Sequence, residues 1–490
     1  MSRLSRCLAV GLILASIGGA PASAVRGHDM HGNEGSVFTV DNESGRAATI
    51  NVAGFPVVAR DNPFFLDLGV NGRRCVTCHQ PGNNMTVTPD GLQARFEATN
   101  GTDPIFRTND GSNSPLADVS TVHARRGAYS MLLTKGLIRV GIAVPADAEF
   151  VLHAVRDPYG YAGHNENGDE LSLFRRPLPA TNLAFLSTVM WDGRETVEKG
   201  SIAAIHFDLA KQANDATQGH AQAPEPIDQA TREQIVAYEM GNFSAQVVDR
   251  TAGSLRDAGA QGGPRALASR SFTFGENDPL GCDPTGTTCD PATARFDPIV
   301  FTEYDAWSRL RPRGIDRARQ AVIRGQALFN TRPFAITGVS GINDDFNMKT
   351  LMGTCSTCHD TPHAGNHSVP VPLDIGVAEP PVPSWAGGDG VRNRFGLPVA
   401  DMPVYVLRRK DSTDDFKVVT DPGRALITGK WKDVGRFKGP ILRALAGRAP
   451  YFHNGSAATL LDVVSFYDVR FGLLLSDQDK RDLVAFLRAL

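Results

Sequence analysis

The sequence of 490 residues has no excess of basic residues. Lys and Arg number 50 against 53 Asp and Glu, and the formal net charge is −3. No run of Lys or Arg is present either, so neither nucleic acid nor an anionic membrane surface is indicated as a partner. Disorder is also excluded, because 41% of the residues are hydrophobic and only 21% are charged. A chain of this length and composition can form two or three hydrophobic cores.

Long apolar runs are missing, apart from one at about residues 7–17. Two arginines precede this run and Ala22-Ser23-Ala24 follows it, which predicts a secretory signal peptide (residues 1–24) cleaved after Ala24. A membrane anchor is the weaker interpretation, because the run is shorter than the roughly 20 residues that span a bilayer. We therefore expect an exported protein with no membrane span, which is periplasmic if the cell is a Gram-negative bacterium.

Cysteine is scarce, and nearly every one of the seven has an assigned place. Cys7 lies in the predicted signal peptide, and four others form two C-x-x-C-H units at 75–79 and 355–359. Cys282 and Cys289 remain, in the turn-rich segment GCDPTGTTCD. In an exported protein they predict a small local disulfide, with two free thiols as the alternative.

The two C-x-x-C-H units predict covalent attachment of two c-type haems. In such a unit the thiols add across the haem vinyl groups and the histidine becomes the proximal iron ligand. The ligands would be His79 and His359. A redox C-x-x-C pair or half of a zinc site is the alternative, but neither requires the histidine. The attachment cysteines would be Cys75, Cys78, Cys355 and Cys358.

Helical periodicity is clear at the two ends of the second half of the chain. Residues 315–330 predict a helix with Asp316 as N-cap, which would open a second domain. Near the C-terminus, Thr459 and Ser476 precede helical patterns, and the second of them carries Asp479 in a capping-box position. No long alternating strand pattern is visible, so we expect a mainly α fold with long irregular loops.

Four ordered segments resemble the di-haem bacterial cytochrome c peroxidase/MauG superfamily. They are CVTCH, RRPLPATNLAFLSTVMWDGRE (175–195), CSTCH and GRFKGPILRALAGRAPYFHNGSAATLLDVVSFYD (435–468). The resemblance implies two c-type cytochrome domains that face each other, at residues 25–314 and 315–490. It does not cover the segment between His79 and Arg175, which predicts an insertion at about 100–175.

The resemblance also implies an electron relay and an axial ligand. The tryptophan of WDGR is Trp191, which would pass electrons between the haems; the alternative is an ordinary core tryptophan. Tyr467 stands where the family places the second ligand of the C-terminal haem, and a phenolate there would make this haem hard to reduce. Tyr467 could instead merely pack on its helix. The rival ligands are Met348, Met352 and Met402.

The N-terminal haem would be the peroxide site, with an open sixth position. The family places a Gln and, ten residues later, a Glu after WDGR, and these positions are Gln212 and Gln222 in this chain. Because an amide cannot transfer a proton, His220 is our substitute acid and base, with an exposed loop histidine as the alternative. Some members carry a distal histidine that blocks this haem, and the candidates are His123, His153 and His164.

The family further implies a calcium ion between the haems. Its carbonyl ligands map to Arg448 and Pro450, but the family's Asn position falls near residues 176–177, which leaves the ion in doubt. His363 and His367 follow the second motif, and we expect them to line a haem edge.

The sequence favours the hypothesis of a periplasmic di-haem c-type peroxidase, an oxidoreductase related to cytochrome-c peroxidase. It would reduce hydrogen peroxide with electrons from a small donor protein, a cytochrome c or a cupredoxin. The first alternative is a MauG-like oxidase that modifies Trp or Tyr side chains of a partner protein. The second is a non-enzymatic di-haem electron carrier.

Overall fold

Helices and strands both contribute to the fold. The computed structural model describes residues 37–161, 170–365 and 367–490, and the predicted signal peptide lies outside these residues. About 31% of the residues are helical and 16% lie in strands, so the prediction of a mainly α fold is wrong. The strands are short, and two of them, Glu170–Arg175 and Asn242–Asp249, bury most of their residues on both faces. They therefore lack the period-two alternation by which a strand is recognised in a sequence.

The helices lie in two groups, before and after a long loop-rich segment. The earlier group is α1 Cys75–Cys78, α2 Pro89–Thr99, α3 Val122–Ala128, α4 Ser130–Lys135, α5 Ile202–Gly219, α6 Gln229–Gly241 and α7 Pro264–Ala268. The later group is α8 Asp316–Thr331, α9 Ala425–Thr428, α10 Leu460–Phe471 and α11 Asp477–Ala489.

Among the described residues the strands form four antiparallel sheets. The strands are β1 Phe38–Asn42, β2 Gly45–Asn51, β3 Ile138–Ala143, β4 Phe150–Arg156, β5 Glu170–Arg175, β6 Asn242–Asp249, β7 Gly253–Ser254, β8 Phe334–Ile336, β9 Leu351–Gly353, β10 Val404–Arg409 and β11 Phe416–Val419. Their orders are β1-β2-β6-β7, β11-β10-β4, β3-β5 and β8-β9.

The segment expected to be an irregular insertion is structured. It contains α3, α4, β3 and β4, and β5 follows at its end. Strand β4 pairs with β10, with Val404 opposite Arg156 and Arg409 opposite Phe150. The segment thus shares a sheet with the second half of the chain, and Gly32–Leu490 forms one compact unit. The division into haem domains at residue 314 stays a prediction.

The predicted helix starts in the second half agree with the structure. Thr459 and Ser476 are the N-caps of α10 and α11, and Asp462 and Asp479 complete the two capping boxes. Asp316 is the first helical residue of α8 rather than its N-cap, where its negative charge still favours the helix N-terminus.

The largest core cluster joins α8, α10 and α11 and includes Phe329, Val464 and Phe486. These helices surround the second C-x-x-C-H unit. In the part of the chain that the structure describes, no helix has both the length and the apolarity needed to cross a bilayer.

Candidate functional site

The second motif is held in a short turn that presents its histidine. Cys355–Thr357 form a single 3-10 turn whose ends are fixed by a capping box between Thr354 and Thr357. The His359 backbone N–H donates to the Cys355 carbonyl at 3.1 Å, and its ring Nδ1 lies 2.6 Å from the Gly365 carbonyl oxygen. Burial lowers the pKa of His359 to about 4. A neutral ring that donates through Nδ1 leaves Nε2 as a lone-pair donor, as a metal-ligating histidine requires.

An apolar cavity of about 230 Å³ opens beside this histidine. Cys355, Cys358 and His359 line it together with carbon-rich side chains of the surrounding helices, and no disulfide engages the two cysteines. Lys438 also lines it; this residue is buried, makes no ion pair with a described residue, and has its pKa lowered to about 7 by burial. Free thiols, a neutral imidazole and a buried lysine at an apolar space fit a covalently attached haem with carboxylate side chains.

Tyr467, on α10, lines the same cavity. Its ring centroid lies 6.5 Å from that of His359, and burial raises the pKa of its hydroxyl. No hydrogen bond connects this hydroxyl to another described residue. No methionine lines the cavity within the described part of the chain, and Met352 is 64% exposed. The geometry therefore favours Tyr467 over the methionines as the second ligand, an assignment that stays a prediction.

The first motif repeats this histidine arrangement. Cys75–Cys78 form α1, and the His79 Nδ1 lies 3.3 Å from the Met85 carbonyl oxygen. The His79 ring lies 6.3 Å from the ring of Phe64, within an apolar cluster. Burial lowers the pKa of His79 to about 4, with a further contribution from the charge of His220. Both motifs thus hold a neutral histidine whose Nδ1 faces a carbonyl oxygen, a pattern that fits two haem ligands.

His220 belongs to an ion network beside this motif. It is the C-terminal cap of α5, and its Nδ1 lies 2.5 Å from Asp110 Oδ2. The other carboxylate oxygen of Asp110 accepts a hydrogen bond from Arg73, two residues before Cys75. Burial alone would raise the pKa of Asp110, but His220 and Arg73 lower it. His220 is 39% exposed, so it is oriented by a buried carboxylate and can exchange protons with solvent.

The two glutamines are not both part of this group. Gln222 is exposed, and its side-chain oxygen accepts from Asn71, which also donates to the His220 carbonyl oxygen. Gln212 is half-buried on α5, eight residues and therefore about 12 Å along the helix from His220. The structure thus brings His220 and Gln222 together and leaves Gln212 two helical turns away.

Glu239 is a titratable residue that the sequence reasoning missed. It lies on α6 with 6% of its surface exposed, and no hydrogen bond from a described residue reaches its carboxyl. Burial raises its pKa to about 8, and its charge acts on Cys75. The only sequence signal is a glutamate on the buried face of an amphipathic helix, next to Tyr238 and Val236.

Trp191 lies where the two halves of the site meet. It is buried and lines the cavity of His359. Its indole Nε1 donates to the Arg176 carbonyl oxygen at 2.8 Å, and its ring lies 6.1 Å from that of His453 in an edge-to-face arrangement. Leu178 and Pro177, which also line the cavity, lie near the first motif: the Pro177 carbonyl oxygen accepts from the Thr86 hydroxyl at 2.8 Å.

A buried ion network fixes the backbone at Trp191. The Asp192 carboxylate accepts from Arg175 and from Arg194, and Arg175 also forms a two-point ion pair with Asp421 at 2.7 and 2.9 Å. Arg175, Asp192 and Asp421 are each at most 2–3% exposed in their side chains. These contacts explain why the tryptophan is followed by an Asp and preceded at a distance by an Arg.

The expected calcium position holds an arginine side chain. Arg176 donates to the carbonyl oxygens of Lys135, Val87 and Arg448, the last at 3.2 Å. Burial lowers the pKa of Arg176 to about 10 and that of Arg448 to about 9. Calcium requires six to eight oxygen ligands, and a guanidinium among them repels the ion. The arrangement does not fit a calcium ion at Arg448 and Pro450.

Two of the proposed blocking histidines are on the surface. His123 and His153 are both exposed, and His153 packs on Phe416 with ring centroids 5.1 Å apart. His164 lies outside the described residues. The remaining cysteine prediction is confirmed, because Cys282 and Cys289 form a disulfide.

Comparison with known proteins gives partial similarities. No family model matches the chain. The cytochrome-c peroxidase IdrP1 of Pseudomonas sp. (strain SCT) is 42% identical over 155 aligned residues, which cover 28% of this chain and 36% of that protein. The cytochrome-c peroxidase IdrP2 of Denitromonas iodatirespirans is 33% identical over 154 aligned residues, which cover 30% of this chain and 38% of that protein. The chain therefore spans little more than a third of the length of these curated relatives.

Among solved structures, a MauG-like protein associated with microbial copper homeostasis is 16% identical in sequence to this chain. The match covers 66% of this chain and 77% of that one, with a TM-score of 0.28.

Proposed function

We propose that the chain is an exported, periplasmic peroxidase of the di-haem cytochrome c peroxidase/MauG type with two covalently bound c-type haems, a proposal supported by its partial similarity to curated cytochrome-c peroxidases. It reduces hydrogen peroxide with electrons from a small donor protein, a cytochrome c or a cupredoxin. The observation that carries this proposal is the repeated histidine arrangement: the Nδ1 of His79 and of His359 each faces a backbone carbonyl oxygen and leaves Nε2 for an iron.

Each haem is held by one motif. Cys75 and Cys78 attach the first haem and His79 ligates it, while the second haem takes the corresponding three residues of 355–359 together with Tyr467. Bound haem supplies the redox chemistry. The chain supplies an apolar enclosure at the second motif, the buried Lys438 side chain as a partner for a haem carboxylate, and imidazoles held in one tautomer.

The residues near His79 include a group that can supply protons. Reduction of one peroxide to two waters consumes two protons and two electrons, so an acid must stand near the reacting oxygens. His220 is oriented through Nδ1 by Asp110, which leaves Nε2 to carry a proton. Gln222 is held close by through Asn71. Gln212, two helical turns away, has no role in this arrangement.

Trp191 is the proposed electron relay. Its indole lines the cavity of His359 and donates to the carbonyl oxygen of Arg176, next to the Pro177–Leu178 segment near the first motif. An aromatic ring in that position would offer electrons an intermediate step between the two haems. The buried network of Asp192 and Arg175 holds the ring in place.

The proposal is tested by mixing fully ferric purified protein with one equivalent of hydrogen peroxide and following absorption and EPR spectra. We expect a rapid spectral change without prior reduction, and steady peroxide consumption when a reduced donor protein is added. Trp191→Phe should leave the first change intact and slow donor oxidation by about 10-fold or more. Absence of any reaction in both the ferric and the half-reduced protein would refute the proposal and leave an electron carrier.

A MauG-like oxidase that modifies Trp or Tyr of a partner protein is the second candidate, and Tyr467 favours it. Its ring lies 6.5 Å from that of His359 and lines the same cavity, and phenolate ligation disfavours reduction of the iron. A donor assay separates the two functions: rapid peroxide-dependent oxidation of small donor proteins supports the peroxidase. Peroxide consumption that needs one particular protein, which becomes oxidised on its own side chains, supports the oxidase.

A further inference from the structure

A buried cluster of two carboxylates and one imidazole lies behind the second motif. Asp278, Asp360 and His367 each offer a ligand atom, and these atoms lie within 4.8 Å of one another. All three residues are at most 9% exposed. No lysine or arginine of the described chain forms an ion pair with either carboxylate, although two buried negative charges at this distance repel each other strongly.

The contact between Asp278 and His367 does not have the geometry of a hydrogen bond. Asp278 Oδ1 lies 3.2 Å from His367 Nδ1, yet this oxygen is buried and receives no hydrogen bond from a residue that the structure describes. Asp360 Oδ2 lies 3.7 Å from the same nitrogen. Neighbouring ligands of a tetrahedral zinc ion, each about 2.0–2.1 Å from the metal, stand about 3.3–3.4 Å apart. The two distances from His367 Nδ1 lie on either side of this value, and all three ligand atoms lie within 4.8 Å of one another.

Both carboxylates of the cluster are held by neighbouring groups, and for Asp360 these contacts include Oδ2, the oxygen nearest His367 Nδ1. Asp278 Oδ2 accepts from the Cys282 backbone N–H at 2.6 Å, and Cys282 is fixed by its disulfide. Asp360 accepts from the backbone N–H and the hydroxyl of Ser368 at 2.8 and 2.9 Å. Such outer contacts orient carboxylate ligands in metal sites, and here they leave Asp278 Oδ1 facing the cluster.

We propose that Asp278, Asp360 and His367 bind one divalent first-row metal ion, with zinc as the expected occupant. An imidazole with two carboxylates suits zinc better than calcium, which prefers oxygen ligands alone, and three protein ligands leave a fourth position for water. The positive ion would also offset the two buried negative charges.

The site has a consequence for the second motif. Gly365 lies between Asp360 and His367 in the sequence. Its carbonyl oxygen faces the His359 Nδ1. A bound ion would therefore hold this acceptor in place and steady the orientation of the histidine. This inference does not depend on peroxidase activity, because the metal content of the protein alone decides it.

Metal analysis of the mature protein with both haems attached tests the proposal. Cells are grown with zinc, the protein is dialysed against metal-free buffer, and zinc is measured per chain beside haem iron. We expect about one zinc per chain in the wild type and less than about 0.1 in Asp278→Asn. The matched control is Asp290→Asn, an exposed carboxylate directly after the disulfide loop, which should keep the ion.

A crystallographic measurement keeps the test decisive if Asp278→Asn does not fold. Anomalous diffraction from wild-type crystals above and below the zinc absorption edge should give one peak among the three side chains. Wild-type protein with full haem content but without zinc in either measurement would overturn the proposal, and so would zinc retained by a folded Asp278→Asn variant.

Discussion

Replacement of Glu239 by Gln should remove a pH dependence of stability that this residue creates. Burial raises its pKa from 4.5 to about 8, so the folded protein binds a proton that the unfolded chain releases in this range. The contribution to stability is therefore complete below about pH 4.5 and is lost as the pH rises through about 8. Gln has the shape of the protonated acid and does not titrate, so the variant should lack this loss.

The size of the effect follows from the two pKa values. One pKa unit corresponds to about 1.4 kcal/mol, so the difference between 4.5 and about 8 sets an upper bound of about 5 kcal/mol. Within this window the free energy of unfolding of the wild type should fall by up to about 1.4 kcal/mol per pH unit relative to the variant. Because the side chain is only 6% exposed, solvent screening reduces this value little.

The measurement is guanidinium unfolding of the haem-loaded protein, followed by far-UV circular dichroism at several values between about pH 5 and pH 8.5. The unfolding midpoints of the wild type and Glu239→Gln should be similar at the acid end and diverge as the pH rises, with the variant more stable. The control is Glu225→Gln, an exposed glutamate in the loop before α6, which should follow the wild type. Parallel curves for the wild type and Glu239→Gln would show that this carboxyl is ionised in the fold and would refute the reasoning.

Three further predictions concern the site. Asp192→Asn leaves the buried Arg175 with one charged partner and should cost about 3 kcal/mol in thermal unfolding; a loss below about 0.5 kcal/mol, the usual range for surface substitutions, would contradict the network. Tyr467→Phe should change the ferric EPR signal of one of the two haems and raise the reduction potential of that haem by an amount on the order of 100 mV. Unchanged spectra would exclude ligation of the iron by Tyr467. EGTA should leave haem spectra and peroxide consumption unchanged, because the Arg176 guanidinium already binds the Arg448 carbonyl oxygen; a loss restored by calcium would overturn this.

The sequence predicts contacts well where the chemistry is local. The C-x-x-C-H spacing and the two capping boxes each lie within a few residues, and the disulfide closes a separation of seven. The prediction of a mainly α fold was wrong because the strands are short and some are buried on both faces, so no alternating pattern marks them. The pairing of β4 with β10, about 250 residues apart, is likewise absent from any local pattern. Glu239 was missed for a related reason: its burial depends on what packs against α6, whereas the sequence shows only one charged residue in a helical pattern.

The group formed by Asp278, Asp360 and His367 is a second example of a long-range arrangement that the sequence does not predict. Asp278 precedes Asp360 by 82 positions, and the two meet only because the loop of Cys282 packs against the segment after the second motif. His367 was expected to line a haem edge, and it does line the cavity of His359. Its carboxylate neighbours were invisible in the sequence, since neither has metal-ligand spacing relative to the histidine.

The distribution of titratable groups gives a reason, independent of the resemblance, to place peroxide chemistry at His79. Peroxide reduction consumes protons, and near the first motif lie an exposed histidine oriented by Asp110 and a buried carboxyl, Glu239, whose pKa of about 8 keeps it protonated at neutral pH. The cavity at His359 is lined largely by carbon and faces a tyrosine. If this division of roles is correct, His220→Gln should slow the reaction of ferric protein with peroxide by about 10- to 1,000-fold without changing the Tyr467-dependent EPR signal. An unchanged rate would show that protons reach the peroxide by another route, and Glu239→Gln, assayed in the same way, would show whether that route is the buried carboxyl.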